Sequence, residues 1–269
     1  MKKILLLLTL ITLAASQAFG QLQIRTRGDK ISDFKTRTTK VVLSSDEALS
    51  SSIRNAVKNF WTVTPYELCT QDEFEALRSN EEYYFLAVTT IKEEGLRYWY
   101  LVKGGGPRSG DVSSMLTVIS LPICPADGLS GREEALLPAL VVAMQKAIEN
   151  NFKGIGNVVS SPKKTAGMPL YIAEEELSPT IKESTKSLCV KKNIQIVESA
   201  VSDEVFTLGE NAAVAFTVGP LVPEAGKSFF IYLIDASTFE LYYFKKHKIK
   251  TAQAYGILNE DIRAFFKGR

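Results

Sequence analysis

Apolar positions along this chain fall into short runs with two periods, and the runs come in the same order twice. Residues 41–43 and 170–172 are brief apolar stretches ahead of a helix signal, and each predicts a first strand. A helix follows, because Ile53, Val57, Phe60 and Trp61 recur at i, i+4, i+7 and i+8 and share one face. In the second half Ser178 is placed to cap such a helix and Pro179 to take its first position, where the missing N–H is harmless. Asp46, Glu47 and the run Glu174, Glu175, Glu176 near these starts suit the positive end of a helix dipole better than a metal cluster. A second strand is predicted at 62–66 and at 194–198. A short helix comes next, opened in the first half by the capping box Thr70-x-x-Glu73, with Phe74 and Leu77, or Val205 and Leu208, as its buried face. Three more strands are predicted in each half, at 83–91, 96–103 and 115–121, then at 213–218, 228–235 and 239–246. Leu137, Val141, Met144, Ile148 and Phe152 mark a long closing helix whose Pro138 suits only a first turn, so 131–136 reads as a separate cap. The second half closes on the shorter segment 257–266.

Aligning the chain with itself sharpens the parallel. At a shift of 128, Glu47, Leu49, Ser50, Ile53 and Lys58 meet identical residues at Glu175, Leu177, Ser178, Ile181 and Lys186. At a shift of 131, Asp72, Glu73, Leu77, Asn80 and Phe85 meet Asp203, Glu204, Leu208, Asn211 and Phe216. Both halves end in Phe-Lys-Gly, at 152–154 and 266–268. The expected fold is therefore α+β, two repeated β-α-β-α-β-β-β-α units, each a mixed sheet of about five strands with helices packed on it. Residues 40–154 and 167–269 form the units, 155–166 a polar linker, and 21–39 a basic, Thr-rich amino-terminal arm.

Residues 1–20 carry Lys2 and Lys3, an apolar stretch, and then Ala18-Phe19-Gly20, which is the pattern of a cleavable secretory signal. The apolar stretch falls well short of the roughly 20 residues of a membrane span, and no later segment reaches that length. With no cysteine at the expected cut before Gln21, the mature protein is expected to be periplasmic or secreted, without a lipid anchor. Composition agrees with a folded chain: of 269 residues, 45% are apolar and 23% charged, which excludes disordered and fibrous classes. Loss of the two signal lysines balances the charge near zero, giving no global attraction to nucleic acid or anionic lipid. Cys69, Cys124 and Cys189 lack any close spacing, so neither a zinc ribbon nor a redox pair is expected, and the first reading of Cys69 and Cys189 is as small buried hydrophobes.

Three passages carry a family resemblance. Leu49-x-x-x-Ile53-Arg54-Asn55-Ala56-Val57 running into Trp61-Thr62-Val63, then Phe74-Glu75-Ala76-Leu77, then the hairpin Ile234 to Leu241 with Asp235 and Thr238 about its turn, resemble the small α/β domain of TolB amino termini and CsgG-type envelope proteins. The family's apolar-proline-phenylalanine ending of strand one is absent here. The resemblance implies a domain for protein contacts in envelope assemblies, with no catalytic residues to carry over.

Candidate chemistry is sparse. His247, the single histidine, lies in Lys245-Lys246-His247-Lys248 and reads first as a solvated strand end; a cysteine–histidine nucleophile pair would need one of the three cysteines beside it. The loop Lys103 to Asp111 holds three consecutive glycines but lacks the Gly-Lys-Ser/Thr ending of a phosphate cradle, and the second half has no counterpart to it. Arg108 and Asp111 are its polar anchors and a candidate partner contact. Aromatics concentrate in the hairpins, among them Tyr98, Trp99, Tyr100 and Tyr243, and alternation sends adjacent ones to opposite faces. Cover by helices or by the other half is the first reading, and an exposed aromatic platform the second. Trp99, Arg108, Asp111 and Tyr243 are thus the candidate binding residues, with no catalytic, metal or cofactor residues assigned. The expected role is a non-catalytic envelope protein acting through protein contacts; the alternative is a hydrolase or a small-ligand or glycan receptor with its site between the units.

Overall fold

Why the first apolar runs become a parallel strand pair with a helix between them is visible in a computed structural model, which describes residues 28–150 and 158–268. The signal segment, its cut at Gln21, Phe152 to Gly154 and the first residues of the expected linker lie outside the described residues. Strand β1 (Thr38–Val42) leads into helix α1 (Glu47–Phe60), whose first turn is closed by the Asp46 carboxylate accepting from the Leu49 N–H at 3.2 Å. Leu49, Ile53, Ala56 and Val57 form its buried stripe; Ile53 and Val57 lie on it as the spacing predicts, Phe60 is half-buried, and Trp61, also buried, caps the helix end.

The second strand is β2 (Tyr66–Cys69), not 62–66. Residues 61–65 instead make specific connections. The Thr62 N–H and hydroxyl both donate to Gln145 Oε1, the Trp61 indole N–H donates to Thr64 Oγ1, and the Pro65 carbonyl accepts from the Thr39 N–H. Helix α2 (Gln71–Leu77) opens with the expected capping box, Thr70 with Glu73. Strands β3 (Tyr83–Ile91), β4 (Leu96–Lys103) and β5 (Leu116–Pro125) complete a sheet in the order β2-β1-β3-β4-β5, parallel on its first three strands and antiparallel on the rest. Helix α3 (Glu133–Glu149) then runs straight through Pro138, which no separate cap precedes. One lost backbone N–H costs little against a helix buried on nearly every side by Leu136, Leu137, Leu140, Val141, Met144 and Ile148.

The second unit repeats the order. Strands β6 (Leu170–Ala173), β7 (Ile194–Val197), β8 (Ala213–Val218), β9 (Ser228–Asp235) and β10 (Leu241–Lys248) form a sheet β10-β9-β8-β6-β7, the same sequence of neighbours with the same mix of directions. Helices α4 (Glu183–Lys191), α5 (Ser199–Thr207) and α6 (Asn259–Phe265) accompany it. Helix α4 starts later than the Ser178-Pro179 signal predicts. Ser178 is occupied elsewhere: its N–H donates to the Ile257 carbonyl and its hydroxyl to the Gln253 carbonyl, tying this stretch to the carboxy-terminal segment. In α5, Phe206 joins Val205 in the core, whereas Leu208 faces solvent.

Period-two burial on both faces of both sheets explains the high apolar content. One face of the first sheet carries Phe85, Tyr100 and Val102 under Phe74 of α2. One face of the second carries Ala213, Phe229, Ile231 and Leu233 under Cys189, Ile262 and Phe265 of α4 and α6. The two remaining faces share a single core, in which α1 and α3 from the first unit meet Val214, Phe216, Tyr232 and the α5 residues Val205 and Phe206. The expected arm supplies Ile31 and Phe34 to that core, and Asp33 accepts from the Tyr84 hydroxyl at 2.6 Å. Within the linker range, Val158 is buried and residues 162–165 pack on the terminal Phe266–Gly268 turn.

Because one core spans both units, we expect a single thermal unfolding transition by calorimetry, and Leu140→Ala to lower stability by about 2–5 kcal/mol as a buried large-to-small change. Two resolved transitions would contradict a shared core.

Candidate functional site

The two units meet most polarly at the start of α3. Ser130 and Gly131 present N–H groups to the Glu133 carboxylate at 2.7 and 2.9 Å, a tight reverse cap that fixes Arg132 pointing away from its own unit. Its guanidinium reaches the second unit, lying 4.3 Å over the Phe216 ring. Its Nε and Nη2 donate to Asp203 Oδ1 at 2.8 and 2.6 Å, and Nη2 also donates to Ser202 Oγ at 2.9 Å. Nη1 forms an ion pair with Glu176 Oε1 at 2.5 Å.

Glu176 follows from the acidic run read as a helix start. Residues Glu174–Glu176 make a single 3-10 turn, which drops the third carboxylate into the interface, where it accepts from the Thr217 N–H at 3.1 Å. Burial pushes its carboxyl up to about 7, against the opposing pull of Arg132. Beside this cluster lies a cavity of about 130 Å³, lined among others by Cys124, Ser130, Arg132, Thr217 and Tyr255. Thr217 Oγ1 is buried without a protein partner. Burial pushes the Cys124 thiol and the Tyr255 phenol up to about 12 each, with Glu133 and Glu176 respectively adding to the effect. A cavity well under the roughly 300 Å³ of ordinary ligand pockets, beside a cation already matched by two acids, acts first as an inter-unit fastening.

The residues expected to bind a partner are not gathered in one place. Trp99 has no exposed surface and packs in the shared core, so it presents nothing to a partner. Tyr243 is half-buried and donates its hydroxyl to Asp261 at 2.7 Å. Arg108 is exposed on the glycine loop. Asp111 is exposed but engaged: it accepts from the Ser113 N–H at 2.9 Å and from the Thr89 hydroxyl at 3.1 Å. None of the large apolar side chains that stand exposed among the described residues is aromatic, so the hairpin aromatics are covered rather than displayed.

His247 is not a solvated strand end. It is buried and stacks on Phe229, with Nε2 2.9 Å from Asp261 Oδ1 and Nδ1 3.2 Å from Glu260 Oε1. Asp261, wholly buried, also accepts from the Leu258 N–H at 2.9 Å, which makes the group a clasp between β10 and α6. All three cysteines are free and buried, and burial pushes the Cys69 thiol up to about 11. Arg132 and Glu176 escaped sequence reasoning because they are far apart in the chain and only the stacking of the units joins them. The one local signal was an arginine between Gly131 and a helix whose middle, from Ala135 to Met144, is apolar. No family model matches the chain, and no curated protein or solved structure matches it.

Since the folded-state carboxyl of Glu176 titrates at about 7 rather than 4.5, the native state holds its proton more tightly than the unfolded chain. Stability from this group is therefore greatest at low pH and declines as pH rises from 4.5 to about 7. Urea unfolding of wild type and Glu176→Gln across that range should show the wild type losing ground to the variant as pH rises, then a constant difference. Arg132→Met, which strands Asp203 and Glu176 without a counter-charge, should cost about 3–5 kcal/mol at pH 8 in the same assay.

Proposed function

We propose that this protein is a non-catalytic, exported envelope component that works through protein contacts on its open sheet edges. The observation that carries this reading is the unequal treatment of the four edge strands. Edge strand β5 is buried along almost its whole length, with the Pro122 carbonyl accepting from the Tyr232 hydroxyl of the other unit at 2.8 Å. Edge strand β10 carries Lys245, Lys246 and Lys248, the residue type that guards free edges against pairing. Edge strands β2 and β7 hold the same place in each unit and have neither protection. Leu68 is exposed on β2, and Leu188 and Val190 are exposed on α4, which packs beside β7. Such edges suit an added strand from a partner, with backbone hydrogen bonds for affinity and the flanking apolar side chains for selection.

The groups able to do covalent chemistry support the same reading, since the thiols are buried apart and the imidazole is held between two carboxylates. Export rests on the signal-like first twenty residues, and an envelope setting on the resemblance to TolB and CsgG-type domains. The alternative of a small-ligand or hydrolytic site between the units has one observation in its favour, the unpartnered Thr217 Oγ1 beside the inter-unit cavity.

The test is capture from envelope extract by wild type and by Leu68→Lys and Ile196→Lys variants with matched melting temperatures. We expect recovery of a specific partner to fall by about tenfold or more with at least one edge variant, the loss of one well-placed apolar contact and strand pairing. Equal capture by all three proteins would remove the edges from the function. A melting-temperature rise with small polar ligands that Thr217→Val abolishes would favour the alternative.

A further inference from the structure

The contact between the units is head to tail. In unit one the α2 side of the sheet carries Phe74 edge-on to Phe85, with centroids 5.1 Å apart; in unit two the α5 side carries Phe206 edge-on to Phe216 at 5.0 Å. These are equivalent sides, since Phe85 and Phe216 are repeat mates. The α5 side of unit two lies against the α1 and α3 side of unit one. An arrangement of this kind leaves one face of each type at the ends of the stack, the α2 side of unit one and the α4/α6 side of unit two.

Charge at the two ends matches the internal contact. Asp203, which holds Arg132 across the interface, has Asp72 as its repeat mate, and Asp72, Glu73 and Glu75 stand exposed on α2. At the other end Lys182 and Arg263 are exposed beside a groove of about 530 Å³ between the start of α4 and α6, whose one acid, Glu260, is paired with Lys245 and His247. The unit-one end is nevertheless closed. Between β4 and β5, where unit two makes a short turn, unit one inserts the glycine loop and a 3-10 turn, Val112–Ser114. That segment lays Val112 and Met115 on the same cluster as Phe74, Phe85, Tyr100 and Val102. It is strapped down by the Gly105 N–H donating to the Arg78 carbonyl and by Arg78 Nη2 donating to the Asp111 carbonyl. At Gly104 any side chain would strike the Asn80 carbonyl, so the loop's close approach to α2 requires glycine. In unit two the corresponding turn instead sends Phe239 across to Phe60 of unit one, 5.0 Å between centroids.

We infer that the segment from Gly104 to Met115 is a built-in cap, covering on unit one the face through which a second copy of this chain would dock by its α4/α6 end. The inference is independent of the edge-strand reading above. Sedimentation velocity tests it from about 1 to 200 µM, the range over which mass action resolves weak self-association. Wild type is expected to remain monomeric. A variant whose residues 104–114 are replaced by a short turn is expected to form a concentration-dependent ladder, with average mass rising at least about twofold and falling again with added salt. Arg263→Glu in that background should restore the monomer. Excess wild type, which retains only the α4/α6 end, should shorten the ladder to a 1:1 pair. Met115→Ser keeps the loop's length and covers the case in which the shortened chain does not fold; it is expected to self-associate in the same direction. Folded, monomeric variants of both kinds would overturn the inference. So would association that neither Arg263→Glu nor excess wild type changes, or a Met115→Ser protein that stays monomeric when the shortened chain fails to fold.

Discussion

Everything in this molecule turns on α3 having only a narrow, half-buried solvent side, the stripe Ala135, Pro138, Val142 and Lys146. An ordinary surface helix spends half its circumference on polar residues, but from Leu136 to Ile148 this one offers aliphatic side chains to its own sheet and to the next unit alike. Each buried aliphatic contributes roughly 1.5–3 kcal/mol, so leaving that second face in water is not an option for unit one by itself. The second unit is thus part of the first unit's folding problem. Arg132 and Lys146 fix how the two meet: Arg132 orders α5 against the start of α3 and Lys146 reaches Glu240, while Gln145, within unit one, holds the end of α1 through its bonds to Thr62 and the Phe60 carbonyl.

The repeat and its order of elements along the chain were legible because they rest on local pattern. Period-two runs such as 83–91 and 228–235, the capping box at Thr70 and the Asp235 turn place their elements without help from distant residues. Errors arose where a distant partner outbid a local signal. Ser178 and Pro179 look like a helix start until the Ile257 and Gln253 backbone draws Ser178 away. Residues 62–66 look like a strand until Gln145, more than eighty positions later, takes the Thr62 N–H. Pro138 looks like a boundary until burial of its helix on nearly every side outweighs one missing hydrogen bond.

Legibility was poorer for the candidate sites, for a related reason. Exposure cannot be read from residue type when both faces of a sheet are covered: Trp99, covered on the first reading, was still kept as a candidate contact, and His247 was placed at the surface on the strength of its neighbours alone. His247 sits among three lysines in sequence, yet its own side chain alternates inward to Asp261 and Phe229. The glycine loop was singled out correctly as the feature that distinguishes the two halves, and Gly104 serves its close approach to the Asn80 backbone just past α2.

The left-handed backbone at Phe239, with φ 56°, is costly for a bulky residue and occurs at a turn that bridges the units. It gives the tandem a direction. A gene with its two halves exchanged would carry the same strands and helices, yet this aromatic would reach toward empty solvent while the apolar flank of α3 lost its cover. The two similar units form an ordered pair in which each half is specific to its position, so neither keeps a complete core when the chain is cut in two.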